Sequence, residues 1–159
     1  MATTAISKAD LIAAARAQWA ITEASIAQAA KGKFEDASAP DQWSAGDCYR
    51  HIIDTMHKIP EAIEQLVHGE PQTALGPSDA EGIATFKTLN SRMLPVELNT
   101  AHGIVWMALQ KLTDADLEKE VELGGNKMRL GDLAQMLLIG HEQSHMEQAL
   151  NAAGASLAL

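Results

Sequence analysis

Cys48 is the only cysteine in the chain. Its isolation excludes an internal disulfide framework and any cysteine-rich zinc module, and leaves histidine and carboxylate as the metal-ligating side chains. Basic residues are also scarce: 12 Lys+Arg face 21 Asp+Glu, a net charge of −9 with histidine neutral. That balance repels phosphate backbones and anionic lipid, and no basic patch offsets it, so no nucleic-acid or membrane-surface role is expected. No apolar run approaches the roughly 18 residues that span a bilayer. Met1 to Asp10 lacks the charged-then-apolar layout of a signal peptide, so a soluble, cytoplasmic protein is expected. Aromatic residues make up only 4% of the chain and β-branched runs are rare, whereas alanine is abundant. Such a composition favours closely packed helices, and 159 residues suit a single domain, 1–159, around one core.

The apolar periodicity divides the chain into four long helices. Ser7 with Asp10 resembles a capping box, and Ile12, Ala15, Trp19, Thr22 and Ile26 then recur at helical steps up to Lys31-Gly32. A second cap at Trp43-Ser44-Ala45-Gly46-Asp47, with Trp43 placed to staple onto Cys48, opens helix two. Its stripe is Cys48, Ile52, Thr55, Ile59, Ala62 and Leu66, and Pro60 predicts a bend in it, not a stop. Gly69 to Pro77 reads as a connection long enough to cross the end of a bundle. Ser78 and Glu81 then cap helix three, which runs towards Lys111 with Leu89, Met93, Leu98, Val105 and Leu109 inward and with Pro95 bending or dividing it. Thr113 to Leu117 suggests a short turn. Alternation around Gly124-Gly125-Asn126 predicts either a small hairpin or an ordered loop before helix four, which covers about Leu130 to Ala153 and stops at Gly154. The expected architecture is an all-α four-helix bundle with a long crossover between helices two and three.

Six histidines carry the chemistry: His51, His57, His68, His102, His141 and His145. His141 and His145 are four apart, so on a helix they share a face with Cβ atoms about 5–6 Å apart, close enough to bind one ion. At 100° per residue that face also holds Leu130, Ala134, Leu137 and Gln148, which points the pair into the bundle. On helix two His51 borders the apolar stripe, whereas His57 points away from it. His51, His141 and His145 are therefore the candidate ligands of a three-histidine site with an open coordination position. His57, His68 and His102 read as hydrogen-bonded or exposed histidines. Cys48, one turn before His51, reads as a buried structural cysteine.

Trp43-Ser44 opening helix two, His51 seven residues after Ser44, and a last helix running from Leu130-Gly131-Asp132-Leu133 through His141-Glu142-x-x-His145 resemble the DinB/YfiT-like family of metal-dependent four-helix-bundle proteins. The likeness extends over nearly the whole chain in order and spacing, although Arg129 stands where a Thr or Ser cap is common. The resemblance implies a bundle with a crossover, a divalent metal held by three histidines, and frequent dimerisation. It also implies varied chemistry, including thiol-dependent S-transferases, bacillithiol-dependent ones among them, and mycothiol-dependent maleylpyruvate isomerases.

Two other readings of the same residues are weaker. His141-Glu142-x-x-His145 spells the zincin protease signature, but the extended form needs a glycine at Gln148 and a histidine at Asn151, and only 14 residues follow His145. Glu142 is the candidate catalytic residue; it either reaches a water on the ion or braces a neighbouring helix. Glu23, Asp54-x-x-His57, Glu97 and Glu142-x-x-His145 occur in the order of a di-iron carboxylate bundle, but His57 and Asp54 lie off the helix-two stripe.

The sequence thus predicts a divalent cation, zinc or nickel with iron or manganese as further candidates, that activates a thiol or water in an S-transferase or hydrolase. Its partner would be a small molecule, a low-molecular-weight thiol for the transferase. The alternative is a non-catalytic bundle that binds metal or a small ligand. Met136, Ile139, Met146 and Leu150 form an apolar back on helix four, covered either by another segment or by a second copy in a homodimer.

Overall fold

The computed structural model describes residues 4–76 and 79–157. Ser7 caps α1 (Lys8–Ala29) by accepting from the Asp10 amide, and Ser44 caps α2 (Ala45–Val67) in the same way through Asp47. Both start signals were visible in the sequence, because a serine hydroxyl satisfies an amide that the first helical turn leaves free. α2 continues through Pro60 without a break.

The predicted third helix is two. α3 (Asp79–Thr85) and α4 (Leu94–Gln110) are separated by residues 86–93. Pro95 lies in the first turn of α4 and not in an interior, where its missing N–H costs nothing. Glu81 lies in the first turn of α3, and Ser78, its proposed cap, lies outside the described residues. Met93, expected inward, is 48% exposed because it precedes α4.

Beyond α4, Thr113 and Asp116 form a capping box on α5 (Asp114–Leu117). The predicted hairpin is present as β1 (Glu120–Leu123) paired with β2 (Asn126–Arg129), Glu120 opposite Arg129 and Leu123 opposite Asn126. Its two-residue turn has φ of +59° at Gly124 and +81° at Gly125, a path that side chains with a Cβ resist. Helix four is composite: α6 (Leu130–Gln135), a π-helical turn over Met136–Gly140, and α7 (His141–Ala153), closed by Gly154 in the left-handed conformation.

The long helices form a ring in which α1 and α2 each pack on both α4 and α7. Two polar contacts cross the diagonals of this ring. Tyr49 of α2 meets Ser25 of α1 at 2.8 Å, and His102 of α4 meets Glu142 of α7 at 3.0 Å. Around them pack Leu11, Ile26, Ile52, Met56, Leu98, Val105 and Leu138.

Arg50 holds two connections onto the bundle. Its side chain is 1% exposed and donates to both Glu35 carboxylate oxygens, to Asp47, and to the carbonyls of Phe86 and Leu89. A buried guanidinium is tolerated only with such saturation, and here it ties residues 30–44 and 86–93 to α2. α3 lies so close to α2 that a Cβ on Gly82 would collide with the Asp54 carboxylate. No helix among the described residues is long and apolar enough to cross a membrane.

Candidate metal centre

Three imidazoles converge where α2 meets the first turns of α7. His51 follows the Ser44 cap by two turns and is 6% exposed, while His141 and His145 are half-buried on one side of α7. The Nε2 atoms of His51 and His141 face each other at 3.0 Å. His145 completes the group, its ring centroid 4.5 Å from each of the other two. One ring nitrogen from each residue can be chosen so that all three lie within 4.8 Å of one another. Donors sharing one ion at about 2.0–2.1 Å lie no more than about 4.2 Å apart, so small side-chain adjustments bring all three onto it.

The surroundings of the rings favour metal-ligating forms. The Gln148 amide oxygen accepts from His145 Nδ1 at 2.9 Å, which places the ring proton there and leaves Nε2 with its lone pair. Trp43 covers the group, its rings 4.9 Å from His51 and 5.6 Å from His145. It thus packs on the imidazoles. Burial pushes His141 down to about 4, with His145 and then His51 adding repulsion. Burial, followed by repulsion from His145, also lowers His51. Both are therefore neutral near pH 7, the form that coordinates a metal.

Among the described residues the buried Nδ1 atoms of His51 and His141 have no hydrogen-bond partner, and Oδ1 of Asp79 lies 3.7 Å from His51 Nδ1. If Nε2 held an ion, Nδ1 would carry the ring proton, and a small movement of Asp79 at the start of α3 would let its carboxylate accept a hydrogen bond from His51. The donor set fits a divalent transition metal held by three imidazoles. No other group of three or more such donors occurs among the described residues.

A DinB superfamily model matches residues 14–149. The chain belongs to the DinB superfamily. No curated protein and no solved structure matches it.

Within this DinB-superfamily bundle the helix-four geometry differs from a uniform 100° step. Leu137, expected on the histidine face, is only partly buried, and Leu138 is fully buried. The buried stripe of α7 passes through Glu142, Met146 and Ala149, with the histidines on its flank. The π turn inserts a residue before His141 and rotates the helix, so the straight-helix angle does not carry across it. Met146 and Leu150 are consequently covered by the chain's own core at 3% and 6% exposure, and of the apolar back only Met136 is largely exposed, at 46%.

Glu142 is 0% exposed and faces the bundle centre. Its Oε2 lies 3.0 Å from His102 Nε2, and Glu23 Oε1 lies 2.8 Å from His102 Nδ1, both at hydrogen-bond distance. The bracing role is the one this contact supplies. The carboxylates of the di-iron pattern are dispersed: Asp54 pairs with Lys58 and Glu97 with His57. Cys48 is buried, and burial pushes its thiol up to about 12. His102 is the hydrogen-bonded histidine expected from the sequence, and Gln148 lies on the expected histidine face, but their particular partners were not read although each had a signal. His102 keeps the spacing of Leu98, Val105 and Leu109, and Gln148 follows His145 by one turn.

Proposed function

We propose that this protein is a divalent-metal-dependent enzyme whose ion, zinc or nickel, is held by His51, His141 and His145. The supporting observation is the convergence of three imidazoles from two helices, with their donor atoms within 4.8 Å of one another. A bound ion would supply Lewis acidity, lowering the pKa of a thiol or water beside it. Three protein ligands leave the open position that catalytic centres use. The chain's own contribution is to hold two neutral rings by burial, to fix the third through Gln148, and to shield the group with Trp43. The substrate would be a small molecule, with a low-molecular-weight thiol as acceptor or cosubstrate in the transferase version.

Elemental analysis of untagged protein tests the metal centre. One divalent ion per chain, lost in His51→Ala and His141→Ala but kept in His57→Ala, is the expected result. Retention in all three variants would overturn it. Screens of thiol-dependent transfer and of hydrolysis on the metal-loaded protein then test catalysis; metal without turnover in either would favour the non-catalytic bundle.

A further inference from the structure

A groove of about 420 Å³ runs between α1 and α4, and its walls include Arg16, Trp19, Glu23, Asn99, His102 and Trp106. It shares no residue with the three-histidine centre and falls within the roughly 300–1,000 Å³ of small-molecule sites. One end is acidic. Glu23 is 27% exposed, and its Oε1 accepts from His102 at 2.8 Å and from Asn99 at 3.3 Å, while Oε2 has only a 3.5 Å contact to Asn99. A carboxylate offers about four lone-pair positions, so Glu23 is held firmly yet keeps acceptor capacity.

The other end is basic. Arg16 lies seven residues earlier on α1, two turns and about 10 Å along the axis, exposed and without a recorded ion pair among the described residues. Aromatic rings line the same groove. Trp19 is fixed by parallel stacking on His102 at 4.7 Å, and Trp106 is 39% exposed, unusual for so large an apolar ring. A simple anion entering the groove would meet Glu23, and a simple cation would meet Arg16. A ligand with both charges on one carbon would be too short to reach from one to the other.

We propose that the α1–α4 groove is a second ligand site, for an extended zwitterion whose ammonium pairs with Glu23, whose carboxylate pairs with Arg16, and whose uncharged body lies on Trp106. An ω-amino acid and a short peptide share this chemistry, and the groove is independent of the metal centre.

Calorimetric titration of the full chain with 6-aminohexanoate, triglycine, hexanoate and hexylamine tests the site. Saturable binding of at least one of the two zwitterions, about tenfold tighter than hexanoate or hexylamine, is expected. Tighter 6-aminohexanoate would identify the ω-amino acid as the source, and tighter triglycine the peptide. Arg16→Gln should reduce 6-aminohexanoate to the affinity of hexylamine, and Glu23→Gln should reduce it to that of hexanoate. Binding should persist in His51→Ala, which separates the groove from the metal centre. Because Glu23→Gln also disturbs His102, Arg16→Gln on the protein surface is the decisive variant. Absence of saturable binding by either zwitterion up to about 10 mM, equal affinity for the singly charged ligands, or no effect of Arg16→Gln would overturn the proposal.

Discussion

Gln148 accepts a hydrogen bond from Nδ1 of His145 at 2.9 Å, one helical turn along α7, and so decides which nitrogen of that imidazole is free. Hydrogen-bond partners of this kind orient a ligand and raise its basicity, and their loss lowers metal affinity about 10- to 100-fold. Gln148→Leu should weaken metal binding by that factor in a competition titration with a chromophoric chelator, while Gln148→Glu, which also accepts from Nδ1, should keep the affinity near wild type. Equal affinity in all three proteins would show that Gln148 does not orient the ligand.

Glu142 and His102 are coupled across the bundle, each buried and each bonded to the other. Removing one member leaves a polar group stranded in the core, at a cost of about 3 kcal/mol or more. Glu142→Ala and His102→Ala should each destabilise the protein in urea unfolding, and the double variant should lose clearly less than the sum. The metal content of Glu142→Ala should stay at the wild-type ratio. Metal loss with stability unchanged would instead tie Glu142 to the ion.

The elements that the sequence disclosed are those governed by local chemistry. Ser7 and Ser44 announced helix starts because a hydroxyl satisfies an amide within the same turn. Gly124 and Gly125 announced the hairpin, and the four-residue spacing of His141 and His145 announced the shared face. His51 could be joined to that pair because it borders the stripe of its own helix. What stayed hidden depends on residues far apart in the chain. Pro95 allowed for a division of helix three, but the place of the break, residues 86–93, is stabilised by Arg50 bonding to Phe86 and Leu89, 36 and 39 residues away, and no local pattern encodes those bonds. Glu142 turned inward for a related reason: the π turn before His141 shifts the phase of the helix.

The metal-free protein should lose stability in acid over a defined window. Burial first, and then repulsion from His145 and His51, lowers His141 from 6.5 to about 4. The unfolded chain therefore takes up a proton below pH 6.5 that the folded chain refuses until about pH 4. Stability is unaffected by this group above 6.5, falls as pH drops through the window, and loses nothing further from it below about 4. The loss is at most about 1.4 kcal/mol per pH unit, and His51 adds in the same direction. Urea unfolding in the presence of a chelator at several pH values should show this slope, and His141→Asn should flatten it. A wild-type slope no steeper than that of His141→Asn would show that His141 titrates normally.

The π turn gives the last prediction, because it reconciles two buried faces of one helix. Taken at 100° per residue from Leu130, the buried residues Leu130, Leu133 and Ala134 of α6 centre near about 0°, whereas Glu142, Met146, Ala149 and Ala153 of α7 centre near about 130°. One extra residue supplies about 100° of that difference, so the turn aligns both stripes with a single core and sets His141 and His145 towards α2. Deleting Gly140 should restore an unbroken α-helix and force one stripe towards water, lowering stability by several kcal/mol and abolishing the metal site. Gly140→Ala should do the reverse. Gly140 has helical φ and ψ of −63° and −46°, and an added Cβ there meets nothing within 4 Å. Alanine at that position should raise stability by about 0.5–1 kcal/mol through the lower entropy of its unfolded chain, with metal content unchanged. Unfolding curves and elemental analysis of the two variants separate the contributions of residue type and residue count. A deletion variant as stable as wild type would show that the turn is not what aligns the two stripes.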